Sequence, residues 1–422
     1  MDMIIDSLGE ARIPSSLTRT VNEQMRVPYR ITHKMGENPP DEITFEIAGP
    51  REKLFFHKSE VKAGIVTCGG LCPGLNNVIR SVYYELSHAY GVQEIYGFLY
   101  GYQGLDPVRG GEPLRLTAEF VDPIHRRGGT VIGTSRGPVD PAIAIENLIK
   151  RGINMLFCVG GDGTQQGANA LHHEAQRRGF PLAVVGIPKT IDNDVGYVAR
   201  TFGYLTAVEE VRNILDCAHQ EARSVFNGIS LVKVMGRHAG FIAAGATIAS
   251  QDVNFTLIPE VPFVLEGPGG FLEAVKSRIL RRAHAVIVVA EGAGQDLLAQ
   301  HTGEKDASGN VKLGDIGVFL REQIEAYFKK AGVPLSFRYF DPSYVIRSQA
   351  ANPEDSILCD LYARNAVHAA MAGKTGLVIG YLHDTFIHVP VEASVAEKKR
   401  LDPSGGWWHA VLAATGQPAR FI

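Results

Sequence analysis

From residue 61 onward, short runs of Val, Ile and Leu alternate with longer stretches of helical period. Five runs stand out, at 63–67 (AGIVT), 155–159 (MLFCV), 183–187 (AVVGI), 229–234 (ISLVKV) and 285–290 (AVIVVA). Their near-continuous apolar character predicts strands buried on both faces of a parallel sheet, since a half-solvated strand would alternate. Helical patterns follow several of them: 75–86 behind Pro73 and Gly74, 167–178 ahead of Gly179, and 241–250 behind Gly240. Strand alternating with helix implies an α/β fold with parallel sheets. Further on, a helical pattern runs from 355 to Met371, glycines at 373 and 376 precede a strand at 377–381, and a last helix at 407–414 stops at Gly416 and Pro418. Segments 262–270 and 293–315 read as loops, the second with a turn cluster of Asp306, Ser308, Gly309 and Asn310. Residues 1–60 carry Pro14, Pro28, Pro39, Pro40 and Pro50 and little periodicity. They read as an irregular N-terminal extension with room for one short hairpin.

Composition narrows the class. With 422 residues, two or three domains are expected. Lys plus Arg is 42 against 45 for Asp plus Glu, a net charge of −3, which argues against a nucleic-acid footprint over the whole chain. No apolar stretch reaches the ~18 residues of a membrane span. The opening MDMIIDSLGEARIP reads as neither a secretory signal nor a transit peptide. The five cysteines form no CxxC pair, so neither zinc nor a disulfide framework is indicated and a reducing cytoplasm is expected. Glycine is in excess at 46 residues, and glycine serves tight turns and close approach of backbone to ligand.

Each of the five runs ends in glycine or charged residues, which no strand needs for packing: TCGGLCPG, GGDGT, PKTIDND, MGRHAG and EGAG. Open α/β sheets bind ligands beyond the carboxyl ends of their strands. Any one of these endings could be no more than a βα turn; five together point to an assembled site. The first has the spacing GxxxxG from Gly69 to Gly74, but Leu75-Asn76 replaces the Lys-Ser/Thr of a P-loop, and GxGxxG is absent. What remains is a glycine turn into a helix N-terminus, suited to phosphate. The second sets Asp162 among glycines, equally a Mg²⁺ ligand or a helix cap. The third places Asp192 and Asp194 two residues apart, one to take a hydroxyl proton and one to orient, with Lys189 and Thr190 alongside. Arg237 stands where a helix begins and can hold charge developing on a transferred phosphoryl group. Glu291 can bind a sugar hydroxyl. An anion cradle, a metal carboxylate, a base and an arginine spell phosphoryl transfer.

The set CGGLCPGLNNVIR, GGDGTQQGA, PKTIDND, VMGRHAGFIA, IPE (258–260), AEGAG and DPSYVIR, with VPFVLEGPGG, KDASGN, AVHAAMAGKTG and TGQPA, resembles 6-phosphofructokinases from about residue 53 onward. It is most similar to the long-chain ATP-dependent subfamily of plants and kinetoplastids. GGDGT alone is shared with NAD and lipid kinases; TIDND together with MGR is not. The resemblance implies two Rossmann-like lobes with the active site at strand ends between them. The nucleotide lobe would be 61–206, rejoined by about 345–385, the sugar-phosphate lobe 207–344, and the tail 386–422. It implies that Thr190, Ile191, Asp192, Met235, Gly236, Arg237, Glu291, Tyr344, Val345, Ile346 and Arg347 bind fructose 6-phosphate. On the nucleotide side it implies Gly69, Arg136, Gly137, Gly161, Asp162, Gly163 and Thr164, with Asp162 on Mg²⁺.

The activity so implied is transfer of the γ-phosphoryl of MgATP to the 1-hydroxyl of fructose 6-phosphate. Asp192 is the base, supported by Asp194; Arg237 and Mg²⁺ steady the transition state, and Lys189 assists. The expected assembly is a homotetramer or homodimer, with no nucleic-acid or membrane partner. Two rivals stand beside this reading: a pyrophosphate-dependent enzyme of the same fold and a non-catalytic regulatory subunit. Pyrophosphate users in the family usually carry Asp where this chain has Gly163, yet share Lys189. Short bacterial members also donate an arginine from a neighbouring subunit at the position of Gly228; Arg338 could supply a basic contact across an interface instead, or be a solvated surface residue.

Other residues draw plainer readings. His172 and His173, in HHEAQ, are expected on the surface. The pairs Arg126–Arg127, Arg177–Arg178 and Arg281–Arg282 read as solvated helix ends. Cys68 and Cys72 are small residues of the phosphate turn, and Trp407 and Trp408 are tail packing.

Overall fold

The computed structural model describes residues 3–36, 43–298, 312–396 and 398–422, so the turn cluster at 306–310 and the KDASGN stretch lie outside the described residues. The chain divides into two compact units. One comprises Met1–Thr190, Val195–Gly203 and Ser348–Lys398; the other comprises Ile191–Asp194, Tyr204–Arg347 and Lys399–Ile422. Among the described residues no helix is long and apolar enough to cross a membrane.

The first unit is built on a nine-stranded sheet. At its centre are five parallel strands, in the order Glu94–Gly97, Lys62–Thr67, Met155–Gly160, Ala183–Pro188 and Leu377–Leu382. Every residue of Met155–Gly160 and Ala183–Pro188 is buried, which is why those runs are apolar without alternation. Val66, Leu156 and Val184 from these strands pack with Leu148 of helix Pro141–Arg151 and Leu171 of helix Asp162–Arg177. Helix Pro141–Arg151 starts under a cap from Asp140 to the Ala142 amide, with proline at its first position, and ends at Gly152 with φ 70°.

The sheet is not purely parallel. Thr385–Pro390 returns antiparallel along Leu377–Leu382, and Thr44–Ile47 and Arg26–Pro28 extend that edge. Leu114–Arg115 lies antiparallel at the other edge. Two of these strands come from the N-terminal arm. The arm also pairs Asp6–Ser7 with Lys374–Thr375 and Ile13–Pro14 with Lys53–Leu54. Its anchor is ionic. The fully buried Arg51 donates from Nη2 to Glu46 Oε1 (2.7 Å) and to the Ile47 carbonyl (2.6 Å), and Lys374 approaches the same carboxylate at 3.2 Å.

His172 corrects the surface expectation. It is 3% exposed, with Nε2 3.0 Å from Asp6 of the arm and Nδ1 3.2 Å from the Thr375 hydroxyl. Its neighbour His173 does face outward, 3.5 Å from Glu392. The helix carrying both begins at Asp162, ahead of the predicted 167, because Gly163 and Gly167 dilute the helical signal. Gly167 has its own reason: a Cβ there would come within 2.4 Å of the Tyr102 ring.

The second unit has a four-stranded parallel sheet, in the order Phe255–Leu257, His284–Ala290, Gly228–Val234 and Ser336–Phe340. Ile229, Leu231, Ile287 and Val289 pack with Phe271 of helix Phe271–Arg282 and Phe328 of helix Ile316–Lys330. Helix Phe241–Ser250 has the predicted bounds. The tail helix Gly406–Thr415 ends at Gly416 with φ 66°; Trp408 is buried and Trp407 is exposed.

Candidate active site

In the first unit, parallel register brings three loop starts together. Thr67 lies opposite Val159, and Gly160 opposite Pro188. Gly69, Gly161 and Lys189 therefore leave the sheet as neighbours. Cys68 donates its amide to the Val159 carbonyl (2.9 Å), and Lys189 donates its own to Gly160 (3.1 Å). Gly69, at φ 86°, is held from both sides: its amide donates to the Ser135 carbonyl (2.9 Å), and its carbonyl accepts from the Thr134 hydroxyl (2.8 Å). That ties the glycine turn to Arg136 and Gly137, the next two residues.

Lys189 is 6% exposed, and its Nζ donates to the Gly70 carbonyl at 2.6 Å. A Cβ on Gly69 would stand 3.3 Å from that nitrogen. The lysine thus braces the glycine turn. Cys68, in the same turn, is buried, and burial pushes its thiol up to about 12, which keeps it protonated and unreactive.

Gly161, not Asp162, holds the N-cap position of helix Asp162–Arg177. The Asp162 carboxylate instead meets Lys398, Oδ2 to Nζ at 2.9 Å. Gly163 is exposed, and a Cβ there would meet nothing within 4 Å. Thr164 is buried, and its carbonyl accepts from the Tyr102 hydroxyl. A backbone with adjacent glycines at a helix N-terminus is a natural cradle for phosphate. One carboxylate beside it fits a Mg²⁺ ion that takes its other ligands from phosphate and water. Among the described residues no group of three or more His, Cys, Asp or Glu could hold an ion by itself.

In the second unit, Val234 and Ala290 are in register, so the MGR and EGAG endings run side by side. The Glu291 amide donates to Val234 (2.9 Å) and the Gly292 amide to Gly236 (3.1 Å). Gly236, at φ 127°, sets the turn that presents Arg237. Burial raises the Glu291 carboxyl above its usual range against the pull of Arg237, Lys233 and Arg347, with Asp341 adding to the rise. Arg237, Glu291 and Arg347 therefore share one electrostatic neighbourhood. The Arg347 guanidinium lies 4.6 Å from the Tyr344 ring centroid. Tyr344 and Val345 are exposed, whereas Ile346 is fully buried and serves as packing.

Of the TIDND stretch, Asp192 is half-buried and Asp194 is buried. Asn193, at φ 55°, turns the chain between them, and the Lys399 amide donates to the Asp194 carbonyl at 3.0 Å. Thr190, in the first unit, accepts at its carbonyl from the Thr201 hydroxyl (2.7 Å).

Gly228 has a steric reason: a Cβ there would fall 2.0 Å from the Ala222 carbonyl oxygen, so no arginine fits without moving that backbone. Arg338, on the neighbouring strand two residues beyond the one opposite Gly228, is exposed and lies 3.4 Å from Glu221. Lys398 and Glu260 went unassigned in the sequence. Lys398 sits in the charged run KKR, whose partner far back along the chain leaves no local signal. Glu260, in the IPE segment, accepts from the amides of Gly240 (3.0 Å) and Leu401 (2.8 Å), joining the start of helix Phe241–Ser250 to the tail.

Residues 62–370 match the family described as Phosphofructokinase. An ATP-dependent 6-phosphofructokinase of Borreliella burgdorferi is 44% identical over 99% of this chain and 97% of its own length. One of Amycolatopsis methanolica is 42% identical over 100% of this chain and 96% of its own. The chloroplastic ATP-dependent 6-phosphofructokinase 5 of Arabidopsis thaliana is 47% identical over 88% of this chain and 68% of its own. Among solved structures, a pyrophosphate-dependent phosphofructokinase from Marinobacter aquaeolei aligns with a TM-score of 0.70 at 20% identity, covering 84% of this chain and 91% of that one, a likeness of fold alone. The phosphofructokinase of Saccharomyces cerevisiae aligns with a TM-score of 0.64 at 26% identity, covering 84% and 47%. The chain belongs to the phosphofructokinase family.

Proposed function

We propose that this protein is an ATP-dependent 6-phosphofructokinase, transferring the γ-phosphoryl of MgATP to the 1-hydroxyl of fructose 6-phosphate to give fructose 1,6-bisphosphate and ADP. The observation that carries it is the near end-to-end match to ATP-dependent relatives, with the TIDND and MGR segments intact in this chain. The open space at Gly163 suits a nucleotide donor.

In this reading Asp192 accepts the proton of the 1-hydroxyl, and Asp194 fixes the loop through its carbonyl bond to Lys399. Arg237 faces the charge that develops on the transferred group, and a planar guanidinium suits a phosphoryl oxygen pair. Glu291 and Arg347 hold the sugar phosphate. Gly69, Arg136, Gly137, Gly161, Gly163 and Thr164 receive the nucleotide. Mg²⁺, held by Asp162, would supply charge neutralisation on the donor phosphates. Lys189 acts by fixing the glycine turn through Gly70.

The protein is further read as a long-chain enzyme of the plant and kinetoplastid type, working as a homotetramer or homodimer under allosteric control. The cytoplasm is its proposed compartment, in keeping with five free cysteines. The test is a coupled assay on purified protein with fructose 6-phosphate and either MgATP or pyrophosphate, with light scattering for the assembly. Turnover with ATP and little with pyrophosphate is expected; the reverse would overturn the choice of donor.

A further inference from the structure

Asp162 pairs with Lys398 at 2.9 Å, and the proposed function assigns that pair no role. Its placement is informative. Asp162 opens helix Asp162–Arg177, where the helix dipole and the glycine amides favour an incoming phosphate. A bare carboxylate at that spot opposes the same phosphate. Something must neutralise it, and the structure supplies an ammonium at 2.9 Å. The Asp162 side chain is 23% exposed and that of Lys398 is 35% exposed, so the pair is reachable from solvent. Gly163 beside it leaves open space. The Lys398 backbone, by contrast, is fixed by an antiparallel bridge to the buried Val195. The backbone is anchored while the side chain reaches solvent.

We propose that Lys398 is the resident counter-ion of Asp162 and exchanges with the divalent cation. When the phosphoryl donor brings a metal, the Asp162 carboxylate passes to the metal and the Lys398 ammonium is released to solvent, which its 35% exposure allows. When the donor comes without metal, Lys398 stays on Asp162 and keeps the cradle neutral enough to accept it. No bond is made or broken in the exchange; only ionic partners change. This rests on the reading of the cradle as a nucleotide site.

Nucleotide affinity, measured by calorimetry without sugar, tests it with no turnover. The probes are ATP with EDTA and ATP with excess Mg²⁺. Lys398→Met keeps the stem and removes the charge. The expected result is a metal-free ATP Kd at least about tenfold weaker than wild type, with MgATP shifted by no more than about threefold. The Asp162→Asn/Lys398→Met double variant removes the bare carboxylate and should recover metal-free binding. Lys398→Arg should behave as wild type in both conditions, which also shows that the position tolerates change. Parallel loss with and without metal, no loss in either, or no recovery in the double variant would overturn the exchange while leaving the nucleotide site standing. Wild-type protein that binds no MgATP would overturn both.

Discussion

The carbonyl oxygen of Arg237 lies 1.9 Å from where a Cβ on Gly292 would stand. Two strand ends thus run so close that only glycine fits between them, and the position of the MGR turn depends on a residue outside it. Gly292→Ala must push the Arg237 backbone aside. A displacement of about 1 Å at a positioned group can cost ~10²-fold in rate. The expected outcome is a kcat/KM for fructose 6-phosphate lowered about a hundredfold, with circular dichroism unchanged because the overlap lies beyond the strands. Wild-type kinetics in this variant would mean that the Arg237 backbone has slack that the packing does not suggest.

The proposed base, Asp192, can be tested by charge without change of shape. Asp192→Asn keeps the side-chain volume and removes the proton acceptor. General-base removal costs about 10² to 10⁴ in rate. A kcat lower by that range with sugar-phosphate binding retained is the expected result, read by steady-state kinetics together with a direct binding measurement. A kcat within a few-fold of wild type would move the base elsewhere, Asp194 being the next carboxylate in line.

What the sequence made legible follows from burial. The runs at 155–159 and 183–187 announced themselves because both faces of their strands are covered, which leaves no polar alternation to confuse the pattern. The glycine and charged endings were legible for the same reason, since nothing in a buried strand needs Asp162 or Arg237. The arm was not. Arg26–Pro28 and Thr44–Ile47 are too short for a period, and Glu46 finds its partner His388 only through tertiary pairing. His172 read as a surface residue because the acid that meets it, Asp6, belongs to that same arm. Lys398 was hidden in the same way, since a charge run looks solvated until the fold sets one member against Asp162.

A buried histidine gives a pH prediction. His368 sits on helix Pro353–Met371 with Nδ1 2.7 Å from the Tyr90 hydroxyl and Nε2 3.7 Å from Glu85. Burial first, then the positive charges of Arg364 and Arg51 and the nearby His388, pull it from 6.5 down to about 4. Between those values the unfolded chain holds a proton that the native one refuses, so stability falls as pH falls through that window. Above pH 6.5 the group is neutral in both states and contributes no slope. Tm is expected to drop between pH 6.5 and about 4, and His368→Asn, which can still accept from Tyr90, should flatten that part of the profile. An unchanged profile in the variant would place the acid sensitivity on other groups. The carboxylate of Glu46, which is held well below its usual range even though burial opposes it, loses its contribution only as pH falls below 4.5.

The phosphoryl donor turns on two residues that sent opposite signals, and the structure weighs them. Lys189 resembles the lysine of pyrophosphate-using relatives. Here its Nζ is bonded to the Gly70 carbonyl at 2.6 Å and the residue is 6% exposed. A lysine that braces a glycine turn serves any phosphate bound there and does not discriminate between donors. Gly163 is the residue proposed to discriminate. It lies in the first turn of helix Asp162–Arg177, exposed, with nothing within 4 Å of a Cβ. Gly163→Asp should therefore fold without strain, since its φ is not among the positive ones and the space is free. It would also set a second carboxylate beside Asp162, where the proposed site takes a nucleotide's inner phosphate. Like charges a few ångströms apart, partly shielded from water, oppose each other by a few kcal/mol. The expected outcome is an unchanged Tm with ATP-dependent turnover reduced at least about a hundredfold. Pyrophosphate, which has no inner phosphate and no nucleoside, should lose much less. If Gly163→Asp keeps its ATP activity at unchanged Tm, the glycine is incidental and the selection of donor lies in residues beyond the cradle.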